Sequence, residues 1–382
     1  MSKTHIPERV KIRLWGKAAG RCQYEGCNEP LWKDSLTESE FNTAYVAHII
    51  ADSPNGPRGH KILSKKLAKD INNLMLMCDK HHRLIDKEDE DGHPVERLKE
   101  MKKNHELRIE MVTSVGVNRK SNVLLYGANI GEHSSPINFE KTTPAMLPNR
   151  YPAENPAIEL SLKNSLFRDD QDMYWVVERK NLKNQFIDKV KRRIELGDIR
   201  HLSVFALAPQ PLLIELGVLI SDIIQADVYQ LHREPADWKW QDGPESFEYI
   251  VKEPEQIHDK VALNLSLSAT IDNGRIIKVM GDDTSIWTVT IPIPNNDYLK
   301  SENQLSKVRT LFRELLNRIK SIHGHDNVIH VFPSIPVAVA IELGRVWMPK
   351  ADLPLSLYDE KDGFHYTFTI GDTIRSKVIV SQ

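Results

Sequence analysis

A fourteen-residue pattern that occurs twice, 127 residues apart, constrains this chain more than any other feature. Val204, Phe205, Pro209, Ile214, Glu215, Leu216 and Gly217 recur as Val331, Phe332, Pro336, Ile341, Glu342, Leu343 and Gly344, seven identities in fourteen positions. An amphipathic helix is predicted upstream of each copy, lined by Ile187, Val190 and Ile194 in the first and by Leu305, Val308, Leu311, Leu315 and Ile319 in the second. Ser301 and Gln304 stand at capping-box spacing and mark where the second begins. Each repeat therefore reads as helix, buried strand, proline loop, helix, strand, over about residues 161–232 and 284–382. Two such units side by side make a pseudo-twofold α/β domain. Loops 206–212 and 333–339 are then expected to face one shared crevice at the carboxyl ends of the strands, where open α/β sheets bind ligands.

At 382 residues the chain has room for a second domain, so a multi-domain α/β fold is expected. All three cysteines, Cys22, Cys27 and Cys78, fall early in the chain. An odd number in so short a stretch argues for metal ligation over disulfides. Cys22-x4-Cys27 with Cys78-x2-His81 offers two close ligand pairs, which is what tetrahedral Zn²⁺ requires. Around them the sequence predicts a helix over 6–20, a β-type run from Tyr45 to Ile50, a Pro/Gly/Asn loop, and a helix on which Val95, Leu98, Met101, His105, Ile109 and Val112 recur. That helix closes a domain at about residues 1–115. Residues 116–160 read as linker and docking segment, and 161–382 as the repeat domain.

Charge is unevenly shared. Residues 1–120 hold 22 Lys and Arg against 18 Asp and Glu, and the remainder holds 29 against 35, so only the first part suits a polyanion. The longest apolar region, 202–220, is interrupted by Pro209, Pro211 and Glu215, which excludes a clean membrane span. The first twenty residues are too charged for a secretory signal, and a cytoplasmic protein with no membrane partner is expected. Neither a Gly-x-Gly-x-x-Gly nor a P-loop motif occurs, which argues against dinucleotide cofactors and ATP.

The segments "AHI", "NNLMLMC" and "HH", which contain His48, Asn73 and His82, resemble the HNH (ββα-metal) endonuclease family over about residues 15–90. The resemblance implies a small zinc-stapled domain in which these three are the catalytic residues of phosphodiester hydrolysis. His48 would be the base that activates water, Asn73 would brace the loop carrying it, and His82 would bind a catalytic Mg²⁺. Many relatives carry an acid directly before the first His; here that residue is Ala47, so Asp52 and Asp86 are the candidate carboxylates for Mg²⁺, with His60 nearby. Arg58, Lys61, Lys65, Lys66, Lys69 and Arg83 are the expected phosphate contacts, without base readout; these residues do not tell duplex DNA from RNA, and double-stranded DNA is the substrate that the resemblance implies.

Residues 328–358, "VIHVFPSIPVAVAIELGRVWMPKADLPLSLY", and "VLLYGANIG…MLPNRYP" at 123–152 resemble the SAVED domain, a fusion of two CARF-like (Rossmann-like) units that senses cyclic oligonucleotides. With the nuclease segment, the chain is similar to the HNH–SAVED effectors of bacterial CBASS anti-phage defence. That resemblance implies a linked nucleotide cyclase, a cyclic di- or trinucleotide ligand, homo-oligomer formation on ligand binding, and DNA degradation. The ligand is expected near Arg345, Lys350, Gln210 and Lys180, with Trp175, Trp347, Tyr229 and Tyr358 as stacking platforms. "PADWKW" at 235–240 reads as a lid or a protomer interface. Two competing readings stand beside this one. One is a constitutive restriction-type nuclease with a C-terminal domain that reads modified DNA; the other is a non-catalytic zinc-knuckle scaffold.

Overall fold

The computed structural model describes residues 4–34, 36–130, 137–161 and 167–371. They fall into two compact units, Met1–Gly116 and Val117–Gln382. No helix among the described residues is long and apolar enough to cross a membrane.

In the first unit, helix α1 (Glu8–Ala18) stops where Ala19 and Gly20 turn left-handed, at φ 49° and 63°. Strand β1 (Tyr45–His48) pairs antiparallel with β2 (Leu74–Met77), from Tyr45 opposite Met77 to His48 opposite Leu74. Between them lies the short helix α2 (Leu63–Leu67). Helix α3 (Asp79–Arg83) follows β2 after one residue, and α4 (Val95–Thr113) closes the unit, with Leu98, Met101 and His105 of the predicted stripe buried and Val112 at its far end exposed. All four residues of β2 are buried, because α1 and α4 contribute Leu14, Ala18, Leu98 and Met101 to the same small core. The order is α1-β1-α2-β2-α3-α4, an antiparallel strand pair followed by helix around a small apolar interior. Such an interior contributes little stability by itself.

The second unit holds two sheets. The first is built from β3 (Lys120–Gly127), α5 (Phe139–Met146), β4 (Tyr151–Pro152), β5 (Ile158–Glu159), α6 (Asp172–Phe186), α7 (Arg192–Glu195), β6 (His201–Leu207), α8 (Gln210–Ile220) and β7 (Gln225–Val228). Its strands run parallel in the order β4-β3-β6-β7, with β5 also on β3. The second comprises β8 (Ile250–Lys252), β9 (Lys260–Ser266), α9 (Asn273–Met280), β10 (Thr284–Thr290), α10 (Glu302–His323), β11 (Ile329–Ser334), α11 (Val337–Val346), β12 (Leu355–Glu360) and β13 (Phe364–Ile370). Its order is β13-β12-β11-β9-β10-β8, parallel except at the two edges. The capping box at Ser301 and Gln304 is present.

Two boundaries read from the sequence need correction. The segment 116–160, expected to be linker, contains β3, a strand buried over seven of its eight residues and paired with β6 along its length. The first repeat therefore starts near residue 120, not 161, and the second sheet takes in β8 and β9 well before residue 284. Prolines and glycines after β3 masked it, because they belong to the crossover that returns the chain to a parallel neighbour.

The pseudo-twofold relation has a physical centre. The repeated helices α8 and α11 cross at the repeated glycines. A Cβ at Gly217 would lie 2.0 Å from the Ile341 carbonyl oxygen and 2.9 Å from Gly344 Cα; one at Gly344 would lie 2.0 Å from the Ile214 oxygen and 2.9 Å from Gly217 Cα. Those partners are themselves repeat equivalents, so the contact is reciprocal. Only glycine permits it. The repeated glutamates also match: buried Glu215 pairs with Arg179 (3.2 Å) and Lys183 (2.9 Å) of α6, and buried Glu342 with Arg309 of α10 (2.9 Å) and with Arg345 (2.7 Å).

Candidate functional sites

The early cysteines converge. One donor atom each from Cys22, Cys27, Cys78 and His81 lies within 4.8 Å of the others. Gln23 explains how two turns so far apart in sequence meet: its N–H donates to the Leu76 carbonyl (2.9 Å) and its side-chain oxygen accepts from Leu76 N–H (2.8 Å), fastening the first cysteine turn to β2 just before Cys78. His81 Nδ1 stands 3.2 Å from Cys78 Sγ and 3.7 Å from Cys22 Sγ. A tetrahedral ion with metal–sulfur bonds of about 2.3 Å sets its sulfurs about 3.8 Å apart and a histidine nitrogen about 3.6 Å from a sulfur, so this set fits Zn²⁺. The His81 ring stacks on Tyr24 at 4.1 Å, whose hydroxyl is bonded to buried His93 (2.9 Å), an outer layer that fixes the ligand ring. Hydrogen bonding to Cys22 holds the Cys78 thiol down to about 4, while the Cys22 thiol is pushed up by that same contact and by burial.

His48 ends β1, 7% exposed, with Nε2 3.0 Å from the Ala68 carbonyl oxygen. That acceptor places the proton on Nε2 and leaves Nδ1 as the basic nitrogen. Asn73, also buried, accepts from Ile50 N–H (2.8 Å) and donates to the carbonyls of Ile50 (2.8 Å) and Leu67 (3.3 Å). Both backbone groups two residues beyond His48 are thus pinned by one amide. His82, on α3, stacks on Tyr45 of β1 (4.9 Å), and its Nε2 is 3.4 Å from Asp86 Oδ2. Burial holds the His82 imidazole below its usual value, against the opposing pull of Asp86.

Of the two acids expected at the metal, Asp86 reaches His82, whereas Asp52 accepts from the Thr4 backbone N–H (3.2 Å). His60 lies at the start of α2, its Nδ1 accepting from Ile62 and Leu63 N–H (3.2 and 3.1 Å). Lys61, Lys65, Lys66 and Lys69 are exposed on and around α2, which runs up to the Ala68 carbonyl that holds His48. Arg83 is exposed and pairs with Asp79 (3.0 Å). Arg58 is not a surface cation: its side chain is 6% exposed and its guanidinium is bonded to Asp86 and to backbone carbonyls.

In the second unit the two proline loops do meet, since Gln210 Oε1 accepts from Ile335 N–H (3.2 Å) and Gln230 Oε1 from Ala338 N–H (3.1 Å). The residues expected to line a ligand pocket there are mostly elsewhere. Arg345, one end of the ten-residue α11 away from the loop, is buried and donates to Glu342, Ala226 O (3.2 Å) and Ser221 O (3.4 Å). Trp347 is core, donating to Leu353 O (2.9 Å). Tyr229 stacks on Phe205 and Tyr358 on Phe332, both at 4.4 Å and buried. Trp238 of "PADWKW" also packs on Phe205 (5.3 Å), buried instead of exposed, and Trp240 is half-buried. Lys350 is exposed in the turn after α11. Lys180 and Trp175 do meet, with Arg179, Lys183, Thr367 and Phe368, around a depression of about 330 Å³ between α6 and β13.

Comparison with known proteins places the second unit. Residues 182–370 match the family model of SAVED, the SMODS-associated and fused to various effectors sensor domain. A search of curated proteins finds no match. Among solved structures, the chain is similar to the Acinetobacter baumannii Cap4 SAVED/CARF-domain containing receptor with the cyclic trinucleotide 2'3'3'-cAAA, at 14% identity and TM-score 0.41 over 73% of this chain and 59% of that one. The same receptor without that ligand in its description aligns at 12% and 0.42 over 79% and 63%, and the Moraxella osloensis Cap4 receptor at 11% and 0.40 over 72% and 57%. The chain spans about three fifths of the length of these structures. Residues 182–370 form a SAVED sensor domain.

Proposed function

We propose that the chain is a metal-dependent DNA endonuclease of the HNH type, switched on when its SAVED domain binds a cyclic oligonucleotide, in the manner of an anti-phage effector. The observation that carries the reading is the joint occurrence of a sensor domain whose family is fused to effectors with a first unit in which His48, Asn73 and a Cys₃His cluster sit on a β-β-α frame. Zn²⁺ held by Cys22, Cys27, Cys78 and His81 would fasten two turns of a unit with little core. His48, its Nε2 proton committed to Ala68, takes a proton from water at Nδ1. Asn73 holds His48 in place through Ile50, and His82, braced by Asp86, offers a ligand to Mg²⁺, which when bound supplies charge stabilisation at the phosphate. The exposed lysines around α2 neutralise the DNA backbone without reading bases.

A nuclease of this kind must be silent at rest. Moving it from mostly inactive to mostly active requires ligand to favour the active form by about 5.5 kcal/mol, which several protomers sharing one assembly can reach together. The test is plasmid degradation by purified protein with Mg²⁺ and a panel of cyclic di- and trinucleotides that includes 2'3'3'-cAAA and 3'3'3'-cAAA. Cutting should require one of them and fall by roughly 10²- to 10⁴-fold in His48→Ala. Cutting in their absence would favour the constitutive restriction-type reading. Undiminished cutting by His48→Ala would remove His48 from the mechanism.

A further inference from the structure

We propose that Arg58 is a positioning residue of the nuclease centre, a buried guanidinium that locks the strand end carrying His48 to the turn carrying His82. The inference rests on the nuclease reading and extends it to a residue that its motif does not include. All three guanidinium nitrogens are engaged, and they reach two separate segments. Nε donates to Ile49 O (2.8 Å) and Nη2 lies 3.5 Å from His48 O, at the end of β1. Nη1 donates to Ile85 O (2.5 Å) and Nη2 to Asp86 Oδ1 (2.6 Å), in the turn after α3. The other oxygen of Asp86 is the one beside His82 Nε2. Arg58 thus fixes the carboxylate that orients His82, and a carboxylate on one ring nitrogen leaves the other to act as ligand.

The loop delivering this side chain is built at a cost. Arg58 itself is left-handed, φ 57°, which costs a non-glycine residue about 1–2 kcal/mol. Its neighbours Gly56 and Gly59 admit no side chain: a Cβ would come within 2.7 Å of Ala51 Cβ and 2.3 Å of the Pro54 oxygen. An arginine meant for phosphate contact needs neither burial nor strain, whereas a strut needs both. Lysine cannot substitute, because one ammonium cannot span a fork of four acceptors.

The test uses the full chain as wild type, Arg58→Met, Arg58→Lys and Asp86→Asn. Arg58→Met should raise the Mg²⁺ concentration for half-maximal cleavage by 10- to 100-fold, leave DNA affinity and its salt slope unchanged, and release hydrogen-exchange protection at both 45–51 and 79–88. Arg58→Lys should not restore it. Weakened DNA binding with a salt slope smaller by about one, and an unaltered Mg²⁺ requirement, would make Arg58 a phosphate contact and overturn the proposal. So would protection unchanged at either segment. If Arg58→Met does not fold, Asp86→Asn, which keeps the three carbonyl bonds, must still raise the Mg²⁺ requirement; an unchanged requirement overturns the proposal. Should wild type cut no DNA with any cyclic nucleotide, the nuclease reading falls, while the exchange measurement still decides whether Arg58 is a strut.

Discussion

The two units solve the problem of holding a shape in opposite ways. The second buries a continuous apolar interior drawn from both repeats, and its polar anchors, Glu215 and Glu342, are ion-paired at the edge of that interior. The first has a small apolar cluster and sets its geometry with polar contacts: the Cys₃His group, Gln23 on β2, Asn73 on Ile50 and Arg58 on two segments. Apolar burial is additive and tolerant of position, whereas directional contacts are few and each is indispensable. The first unit should therefore fail all at once when one polar contact goes, and the second should yield by degrees.

The strongest way to break that contrast is at the Cys₃His group. On the proposed reading that Cys22, Cys27, Cys78 and His81 hold Zn²⁺, Cys78→Ser or a strong chelator should remove it and with it the cooperative unfolding transition of the first unit, a loss on the order of 10 kcal/mol of binding energy, and should leave the second unit's transition in place. Calorimetry alongside elemental analysis reads both. A first unit that melts unchanged without metal would show that its core suffices. Next in size is Glu342→Gln, which takes the carboxylate from the Arg345 guanidinium, 6% exposed, and should cost the second unit about 3–5 kcal/mol in denaturant unfolding. Gly217→Ala should cost about 1–3 kcal/mol by forcing α8 off α11, and a similar loss from Gly344→Ala would sharpen the claim that the crossing is reciprocal.

Asp359 offers a pH test confined to the second unit. Burial and the neighbouring Asp169 push its carboxyl up to about 7, while the unfolded chain keeps the ordinary value. Between these values the folded form holds a proton that the unfolded form does not, so stability should fall as pH rises from about 4 to about 7. Asp359→Asn should flatten that slope; a slope that survives would assign it to other groups. The smallest effect is expected for Lys65→Gln, which should lower the salt slope of DNA binding by about one and leave both unfolding transitions alone.

Legibility in the sequence followed the same division. The Cys₃His group could be read because it uses every cysteine, and the repeat because glycine and glutamate recur where the fold needs a close crossing and a buried ion pair. Asn73 is bonded to Ile50, two residues beyond His48, so the two residues are neighbours in the fold. Side chains around the expected crevice could not be placed. Arg345 and Lys350 follow the second loop closely in sequence, but a helix advances about 1.5 Å per residue, and α11 carries Arg345 to the far end. Arg58 was misread for a related reason: composition marks a cation, and only geometry tells whether water or four carbonyl and carboxylate oxygens receive it. The "GPRG" string around it held the available signal, since two glycines flanking so short a span mark backbone that has no room for side chains.

The α8–α11 crossing has one more consequence. Where two rods touch through their main chains, no flexible group lies between them to yield, and a displacement of either becomes a displacement of both. Each rod begins at one of the paired proline loops, so the crossing ties the two loops together through main chain. In the second unit the two loops are therefore joined through the crossing, and a tilt of either helix would be felt at the other.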